Sequence, residues 1–319
     1  MMCSLNEWLG CVRGAKRLAL ISHISPDGDT VGAALALRLA FLALGKEVDV
    51  ICDGEADQTL GYLPGVEAMI RPEEAGGVYD AAIAVDVSDR RLLGKAERVF
   101  DSAAVRLVID HHGTNDGYGD CDYIRGGECA CCVLAYEAIE AMGVRMTGEM
   151  ATCLMTGLST DTGHFMYPYT TPHAFEVAGR LRAAGADVSD ITRRLYRTQP
   201  RELVELTRIA YRKLRFELGG RVGVIELTTQ ELQQAGCAAN QTGGLVNKAL
   251  EVEGVRMAIL ATQREEGVKL SLRAVEPDTV SDIAKVFGGG GHAQAAGCTI
   301  DAPMEQAVRM ALDEMAKKL

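Results

Sequence analysis

The sequence lacks an apolar run long enough to cross a membrane. Its longest apolar stretch, residues 31–45, is interrupted by Arg38 and is shorter than the roughly 20 residues that a membrane-spanning helix needs. The first residues also lack the apolar segment and small-residue cleavage site of a secretion signal. We therefore expect a cytoplasmic protein with no membrane partner.

Positive charge is also scarce in this sequence. Lys and Arg number 33 against 44 Asp and Glu, which gives a net charge of −11. Long nucleic acids bind basic surfaces, so this balance argues against a long nucleic acid as partner. The exception is residues 191–221, with nine basic and three acidic residues. This segment either faces an anionic substrate or is a solvated helix, and charge alone does not decide between the two.

The composition is otherwise that of a globular protein. Hydrophobic residues make up 48% and charged residues 24% of the 319 residues, a length that suits two domains with separate cores. The chain has ten cysteines. Because Cys129, Cys131 and Cys132 crowd one predicted helix, we expect buried, reduced thiols and no disulfides.

Residues 17–45 predict a strand, a turn and a helix. Residues 17–21 are a short apolar run typical of a buried strand, and apolar residues then recur at helical spacing from Val31 to Gly45. Pro26 and Gly28 between them favour a tight turn. The side chains in this turn should therefore lie at the carboxyl end of a sheet, where open α/β sheets bind ligands.

The turn carries His23, Asp27 and Asp29. Two carboxylates this close repel each other unless a cation or a shared proton lies between them, and an added imidazole suits a divalent metal. The alternative is an Asp-rich turn in which Asp29 only caps the helix.

Further along the chain, strands alternate with helices. This alternation predicts an α/β fold with a doubly wound, mainly parallel sheet. The predicted strands cover residues 47–53, 80–86 and 105–109, and the predicted helices cover residues 57–63, 128–142, 148–158 and 171–184.

Polar residues again follow the strands. Asp86 ends one strand, Asp110, His111 and His112 follow the next, and Asp161 ends a helix. With the first turn, these positions supply oxygen and imidazole donors without a thiolate, a set that suits Mn²⁺, with Mg²⁺ or Co²⁺ as alternatives. The candidate metal ligands are His23, Asp27, Asp29, Asp86, His111 and Asp161.

These motifs resemble those of the DHH phosphoesterase family, in order and spacing. They are His23-x-x-x-Asp27-x-Asp29, Asp86 at a strand end, Asp110-His111-His112, and Thr160-Asp161-Thr162-Gly163. At the far end, Ser271-Leu272-Arg273 and the glycine-rich run of residues 288–297 resemble the DHH-associated C-terminal domain. The resemblance implies a metal-binding domain over residues 1–190, a basic linker helix over 191–216, and a smaller α/β substrate-binding domain over 217–319.

Within the family, the length of the chain is most similar to the nano-RNase branch. The resemblance implies hydrolysis of short oligoribonucleotides, of dinucleotides such as pApA, or of the nucleoside bisphosphate pAp, by a hydroxide shared between two metal ions. It assigns His23, Asp27 and Asp86 to one ion and Asp29, Asp86, His111 and Asp161 to the other. We expect Asp110 to orient His111 through its second ring nitrogen, and His112 to contact the phosphoryl oxygen or the leaving group.

The resemblance also gives the second domain a role in substrate binding. Short strands are predicted within residues 216–274, with helices near 229–235 and 243–250. Arg273 and a glycine loop should hold a terminal phosphate in a cleft between the domains, and the predicted contacts are Arg273, Gly289, Gly290, Gly291 and His292. Family members often have a serine and a basic residue after this arginine, whereas Ala274 and Val275 stand here.

Two other functions fit parts of the sequence. Residues 27–30 imitate the DxDxT turn of haloacid-dehalogenase-like phosphatases, in which Asp27 would be the nucleophile. A nucleotide sensor could also keep this fold and bind without cleaving, although such proteins usually lose metal ligands. A homodimer is compatible with the sequence.

Overall fold

The computed structural model describes residues 2–238, 241–242 and 244–319. The chain forms two compact units, the first ending at Thr198 and the second beginning at Gln199. The boundary between the units falls within the predicted linker of residues 191–216. No helix among the described residues combines the length and the apolar character that crossing a membrane needs.

The first unit is built on a six-stranded parallel sheet, which confirms the predicted doubly wound architecture. Its strands are β1 (Arg17–Ile21), β2 (Glu47–Ile51), β3 (Met69–Ile70), β4 (Ala81–Val85), β5 (Val105–Asp110) and β6 (Cys121–Ile124). Their order across the sheet is β3-β2-β1-β4-β5-β6. The order reverses between β1 and β4, which is where sheets of this kind bind ligands.

Helices cover both faces of this sheet. They are α1 (Leu5–Arg13), α2 (Gly28–Ala43), α3 (Glu97–Ser102), α4 (Cys131–Ala141), α5 (Gly148–Asp161), α6 (Pro172–Ala184) and α7 (Val188–Thr192). Because side chains alternate along a strand, Leu18 and Leu20 of β1 join the core that contains α2, α4 and α5, whereas Ala19 and Ile21 join the core that contains α3. Strand β4 is buried throughout.

Glycines allow α2 and α5 to pack closely. A Cβ atom at Gly32 would lie 2.4 Å from the carbonyl oxygen of Cys153, and one at Gly157 would lie 2.8 Å from the Cα atom of Asp29. A Cβ atom at Gly28 would lie 2.4 Å from Thr160 Oγ1. These contacts fix the start of α2 against the end of α5, so the two helices deliver Asp29 and Asp161 to one place.

The prediction that all cysteines are reduced is wrong for one pair. Cys3 and Cys121 form a disulfide, while the other eight cysteines are free and seven of them are buried. The reason is local: the Cys3 N–H donates to the carbonyl of Asp122, 3.0 Å away. The segment before α1 therefore runs along the edge strand β6 and places Cys3 beside Cys121.

The predicted linker helix is also broken. Helix α7 continues into a π-helical turn at Arg193–Arg197, and Thr198 is then extended. Pro200 accounts for the break, since its ring disfavours the helical conformation in the residue before it. A new helix, α8 (Arg201–Lys213), begins directly after Pro200 and belongs to the second unit.

The second unit contains a mixed six-stranded sheet, as expected of a smaller α/β domain. Its strands are β7 (Arg215–Glu217), β8 (Val222–Leu227), β9 (Met257–Arg264), β10 (Gly267–Ala274), β11 (Gly290–His292) and β12 (Ala295–Ile300), in the order β11-β12-β10-β9-β8-β7. Strands β8 and β9 are parallel, and the other neighbours are antiparallel.

Helices again lie on both faces of the second sheet. They are α8, α9 (Thr229–Ala235), α10 (Leu245–Leu250), α11 (Ser281–Val286) and α12 (Met304–Ala316). Met257 and Ile259 of β9 join the core with α11 and α12, whereas Ala258 and Leu260 join the core with α8, α9 and α10. The alternation along β9 thus assigns one set of helices to each face.

Candidate metal centre

Three neighbouring strands deliver polar side chains to the carboxyl edge of the first sheet. His23 and Asp27 lie in the turn between β1 and α2, Asp86 directly follows β4, and His111 directly follows β5. Asp29 lies in the first turn of α2, and Asp161 is the last residue of α5. The structure therefore brings all six predicted metal ligands to one edge of the sheet.

The ligand atoms form three overlapping groups. In His23–Asp27–Asp86, in Asp29–His111–Asp161 and in Asp86–His111–His112, one donor atom from each residue lies within 4.8 Å of the others. Asp86 belongs to two of these groups.

Asp86 lies between the two histidines that were predicted as ligands. Its Oδ2 is 4.0 Å from His23 Nε2, and its Oδ1 is 3.5 Å from His111 Nε2. His111 Nε2 is also 3.3 Å from Asp161 Oδ2 and 3.9 Å from Asp29 Oδ2. The two oxygens of the Asp86 carboxylate are therefore directed to different groups of donors.

The Asp86 carboxylate is otherwise poorly compensated. Asp86 is 3% exposed, and among the described residues its Oδ1 has no hydrogen-bond partner. Its backbone φ of 60° lies in the left-handed region, which an L-residue adopts at a cost. A buried carboxylate oxygen without a donor, held by a strained backbone, fits a position that a cation fills.

Burial and crowding raise the pKa of three of these carboxyl groups. Burial followed by the charges of neighbouring carboxylates raises the pKa of Asp86 well above its usual range. The same two causes raise the pKa of Asp161 to about 9. Burial also raises the pKa of Asp29, although His111 opposes the shift. Carboxylates that resist ionisation in the bare protein become good ligands once a divalent cation balances their charge.

The helix cap at this site differs from the capping alternative considered above. Asp27, and not Asp29, caps α2: its Oδ1 accepts the N–H groups of Asp29 and Thr30 at 3.0 and 3.1 Å. Burial alone would raise the pKa of Asp27, but His23 and these two N–H groups lower it. The carboxylate of Asp29 therefore does not cap α2.

Asp29 is held by the N-terminus of α4. Its Oδ2 accepts the N–H of Cys131 at 2.5 Å, and its Oδ1 accepts the N–H of Cys132 at 2.9 Å. These N–H groups begin a helix whose own N-cap, Ala130, offers no side-chain acceptor. The positive end of α4 therefore orients a fully buried carboxylate.

The prediction that Asp110 orients His111 is wrong. His111 Nδ1 lies 3.1 Å from the carbonyl oxygen of Glu128. Because a carbonyl only accepts, Nδ1 carries a proton, and Nε2 is directed toward Asp29, Asp86 and Asp161. The orienting group is thus a backbone carbonyl, which no side-chain pattern in the sequence marks.

Asp110 instead orients His112. Its Oδ1 lies 2.8 Å from His112 Nδ1, and its Oδ2 accepts a hydrogen bond from Asn115 at 2.6 Å. Burial alone would raise the pKa of Asp110, but the hydrogen bonds from His112 and Asn115 lower it. The contact with Asp110 raises the pKa of His112. Sequence reasoning missed Asn115, a buried amide five residues beyond the strand end.

Two of the predicted phosphate contacts of the second unit, Arg273 and His292, lie in one row across its sheet. Arg273 of β10 and His292 of β11 both pair with Ala295 of β12, so their backbones are about 10 Å apart. Arg273 Nη1 donates to the carbonyl of Leu272 at 3.0 Å. The side chain of His292 lies outside the described part of the structure.

Two of the three predicted glycine contacts lie in a strand and not in a loop. Gly290 and Gly291 belong to β11, and the N–H of Gly289 donates to the carbonyl of Ala284 at 2.9 Å. A Cβ atom at Gly289 would lie 2.2 Å from the Gly297 carbonyl, and one at Gly291 would lie 2.4 Å from the Ala295 carbonyl. Close packing on β12 therefore explains Gly289 and Gly291, and Gly290 alone has open space.

Much of the basic charge in residues 191–221 is balanced locally. Arg193 and Arg194 both pair with Asp190. Further pairs join Arg208 to Glu205, Lys213 to Glu231, and Arg215 to Glu217 and Glu226. This pairing favours the solvated-helix alternative for these residues.

Family models match both units of the chain. The model of the DHH family, N-terminal domain, matches residues 17–158, and that of the DHHA1 domain matches residues 220–319. The first match contains all but one of the six predicted metal ligands, since Asp161 lies three residues beyond it.

Similar proteins extend over nearly the whole chain. A bifunctional oligoribonuclease and PAP phosphatase NrnA from Thermus thermophilus is 32% identical over 315 residues, which are 98% of this chain and 93% of that protein. The protein of the same name from Bacillus subtilis is 23% identical and covers 89% of each chain. The crystal structure of an exopolyphosphatase-related protein from Bacteroides fragilis shares the fold, with a TM-score of 0.89, 24% identity, and coverage of 97% of this chain and 95% of that one.

Proposed function

Because the chain belongs to the DHH family and carries a DHHA1 domain, we propose that it is a metal-dependent phosphoesterase acting on short oligoribonucleotides, pApA-type dinucleotides and pAp. The observation that carries the proposal is the buried Asp86 carboxylate, which lies between two groups of metal-binding donors. The Thermus and Bacillus relatives, which are named as bifunctional oligoribonucleases and PAP phosphatases, indicate the substrate class.

The donors fit two divalent ions. His23, Asp27 and Asp86 would hold one ion, and Asp29, Asp86, His111 and Asp161 the other. Oxygen and imidazole donors suit Mn²⁺ best, with Mg²⁺ or Co²⁺ as alternatives. When bound, such ions supply Lewis acidity that activates water and balances the charge of a phosphate group.

The residues around this centre have separate tasks. Asp110 holds the proton of His112 on Nδ1 and so fixes the direction of Nε2. His112 is 42% exposed in its side chain, and it would contact the phosphoryl oxygen or the leaving group of a bound substrate. The Glu128 carbonyl and the start of α4 hold His111 and Asp29 in their binding orientations.

The second unit would bind a terminal phosphate of the substrate. Arg273 offers a planar fork of donors that suits a phosphate, and Gly290 leaves space for a close approach to β11. A substrate that is bound through both its scissile phosphate and its terminal phosphate would be short. The net charge of −11 agrees with this, because a long nucleic acid binds to basic surfaces. The cleft position, the cytoplasmic location and a homodimer stay predictions.

A panel of substrates tests the proposed function. Purified protein with Mn²⁺ is incubated with pApA, with di- to pentanucleotides and with pAp, and product release is measured by chromatography. We expect release of mononucleotides from the short RNAs, or of phosphate from pAp, and loss of both with a chelator. A metal-loaded protein that binds these compounds without cleaving them would support the sensor alternative.

The haloacid-dehalogenase alternative makes a different prediction. In that chemistry Asp27 becomes phosphorylated, but its Oδ1 is engaged with two backbone N–H groups at the start of α2. The family matches do not support that alternative. Acid-quenched turnover of terminally ³²P-labelled pAp should therefore leave no label on the protein, whereas a labelled aspartate would overturn the proposal.

A further inference from the structure

Exposed aromatic side chains directly follow the predicted metal ligand Asp161. Residues 163–169, which we call the aromatic loop, read Gly-His-Phe-Met-Tyr-Pro-Tyr. Met166 is 77% exposed, Tyr167 47% and Tyr169 57%. The proposed mechanism gives these three side chains no task, and apolar side chains at a protein surface are informative when they cluster.

The backbone of the aromatic loop is bent into an unusual conformation. Gly163, His164 and Phe165 have φ values of 57°, 58° and 64°, three consecutive residues in the left-handed region. Two of them are not glycine, and such conformations persist only where surrounding contacts enforce them. The bend turns the chain back on the end of α5, so the residues that follow stay beside Asp161.

Hydrogen bonds fix the loop in this shape. The N–H of His164 donates to the Ser159 carbonyl at 2.7 Å, and His164 Nδ1 lies 3.0 Å from Ser159 Oγ. The N–H of Tyr167 donates to the Thr162 carbonyl at 3.0 Å. The loop therefore has a defined conformation, and the rings of Tyr167 and Tyr169 are exposed in that conformation.

The two tyrosine rings are themselves held next to the metal centre. A Cβ atom at Gly163 would lie 2.5 Å from the Tyr167 ring, so this ring covers the residue two positions after Asp161. The Tyr169 hydroxyl donates to the carbonyl of Asp161 at 3.0 Å. The ring centroids of Tyr167 and Tyr169 are 5.5 Å apart, with the planes tilted by 40°.

This loop lies on the side where the metal centre is open. Asp29 and Asp86 are 0% and 3% exposed, whereas the side chain of Asp161 is 27% exposed. Asp27 and His112 are the other exposed members, at 54% and 42%. A phosphate group must therefore reach the centre on the side of these exposed residues. Of them, Asp161 is the one that is followed in the sequence by the two tyrosines.

We propose that Tyr167 and Tyr169 form a stacking subsite for a nucleobase of the nucleotide whose phosphate lies at the metal centre. The proposal rests on the proposed function and makes it more specific. Aromatic rings stack on any base, because every base has a π-face, and the contact does not depend on base identity. A phosphate-binding centre beside two exposed rings matches a ligand that joins an anion to a flat ring, as a nucleotide does. An inorganic polyphosphate carries the anion but has no flat ring that could stack on the two tyrosines.

Binding of two product-like ligands tests the subsite independently of cleavage. Adenosine 5′-monophosphate and ribose 5-phosphate carry the same sugar and phosphate, and only the first has a base. With Mn²⁺ present, titration calorimetry of the full chain should show about tenfold tighter binding of adenosine monophosphate, within the range reported for stacking of one base. Tyr167→Ala should remove this preference and leave the affinity for ribose 5-phosphate within about twofold.

Two variants control this experiment. Tyr167→Phe keeps the ring and should keep the preference. Tyr211→Ala removes an equally exposed tyrosine, 49% against 47%, that lies on α8 outside the aromatic loop, and should also keep it. Circular dichroism and thermal melting of each variant establish that it is folded.

The outcomes separate this inference from the proposed function. Equal affinity of the wild-type protein for both ligands would overturn the subsite, even if the protein cleaves pApA. A base preference that Tyr167→Ala removes, in a protein that cleaves nothing, would uphold the subsite and refute the proposed function. If light scattering shows that Tyr167→Ala changes the oligomeric state, the rings lie between copies of the chain and the subsite is refuted.

Discussion

The predicted metal centre and the predicted phosphate site differ in how strongly their geometry indicates a bound ligand. In the first unit, Asp86 is buried beside other carboxylates, with an oxygen that has no hydrogen-bond partner among the described residues. In the second unit, close approach of β12 already accounts for Gly289 and Gly291. Only the first site contains a feature that is unfavourable without its ligand.

This difference shows how far a motif alone can be interpreted. A buried group of carboxylates lowers stability until a cation compensates it, so its presence indicates a ligand. A glycine run has two explanations, close backbone packing or close approach of a ligand. The structure favours packing at two of the three glycines that were predicted to bind substrate, and the experiments below test both sites on this basis.

Replacing the proposed bridging carboxylate should have the largest effect. Asp86→Asn keeps the size of the side chain and removes the charge that both ions would share. We expect kcat for pApA with Mn²⁺ to fall about 1,000-fold or more, because the charge balance at both ion positions is lost. Mononucleotide release is measured at several enzyme concentrations, so that rates that differ by about 1,000-fold can be compared.

Asp89→Asn is the matched control for that variant. Asp89 follows the same strand, but its side chain is 42% exposed and pairs with Arg91 at 2.6 Å. Its activity should stay within about twofold of wild type. An Asp86→Asn protein that keeps a tenth of the wild-type rate would contradict the bridging role of Asp86.

The same substitution should have opposite effects on stability with and without metal. In a chelator, Asp86→Asn relieves repulsion among buried carboxylates, and we expect the melting temperature to rise by about 2–4 °C, the shift that 1 kcal/mol produces in a unit of this size. With excess Mn²⁺ the wild type should melt higher than the variant. Differential scanning calorimetry measures both, and a variant less stable than wild type in the chelator would show that no repulsion is present.

Metal binding should also distinguish the two units directly. Mn²⁺ at about 100 times its dissociation constant stabilises the folded site by about 2.7 kcal/mol. Hydrogen exchange followed by mass spectrometry should therefore slow in peptides that contain β1, α2, β5 and the end of α5. Peptides from β9 to β12 should not change. Slower exchange confined to the second unit would place the metal elsewhere.

The sequence allowed much of the first unit to be predicted. β1 and β4 are short apolar runs followed by His23 or Asp86, and parallel strands bring such endings to one edge of a sheet. The groups that orient the ligands were not predictable in this way. Cys131 and Glu128 act through a backbone N–H and a carbonyl, which every residue has, so no residue type marks them.

The other wrong predictions also have physical causes. The glycines of β11 have no side chains whose alternation could indicate a strand, so Gly290 and Gly291 were predicted as part of a loop. The break in the predicted linker helix did have a signal, because Pro200 disfavours a helix through the preceding residue. The Cys3 pairing depends on a contact across 118 residues, which local patterns do not reveal.

Alanine substitutions along β11 should separate packing from ligand binding. Gly291→Ala places a Cβ against the Ala295 carbonyl at a φ of 138°, and Gly289→Ala places one against Gly297. Each should destabilise the chain by about 1–3 kcal/mol in urea unfolding. Gly290→Ala has open space and should change stability by less than about 0.5 kcal/mol.

Substrate kinetics then decides the role of Gly290. If β11 receives a phosphate, the added methyl group in Gly290→Ala hinders its approach, and KM for pApA should rise about three- to tenfold with little change in kcat. An unchanged KM would remove Gly290 from the predicted phosphate site. Arg273→Lys, which loses the planar fork, should raise KM in the same way if the site exists.

The smallest effect that we expect concerns a carboxyl group of the second unit whose pKa moves in the opposite direction to that of Asp86. Glu231 accepts hydrogen bonds from Lys213 at 2.8 Å and from the N–H of Thr228 at 2.8 Å, at the start of α9. Burial alone would raise the pKa of Glu231, but the contacts with Lys213 and Thr228 lower it.

The sign of the pH dependence follows from this lowered pKa. Glu231 binds its proton more weakly in the folded chain than in the unfolded chain, so its contribution is complete above the unfolded pKa of about 4.5 and is lost as the pH falls through the folded pKa. Glu231→Gln keeps an acceptor oxygen for the Thr228 N–H but removes the charge that faces Lys213, so it should cost about 0.5 kcal/mol at pH 7, as loss of a surface ion pair does, and less at pH 3. Urea unfolding at the two pH values measures this, and an equal loss at both would mean that the carboxylate charge contributes nothing to the cap.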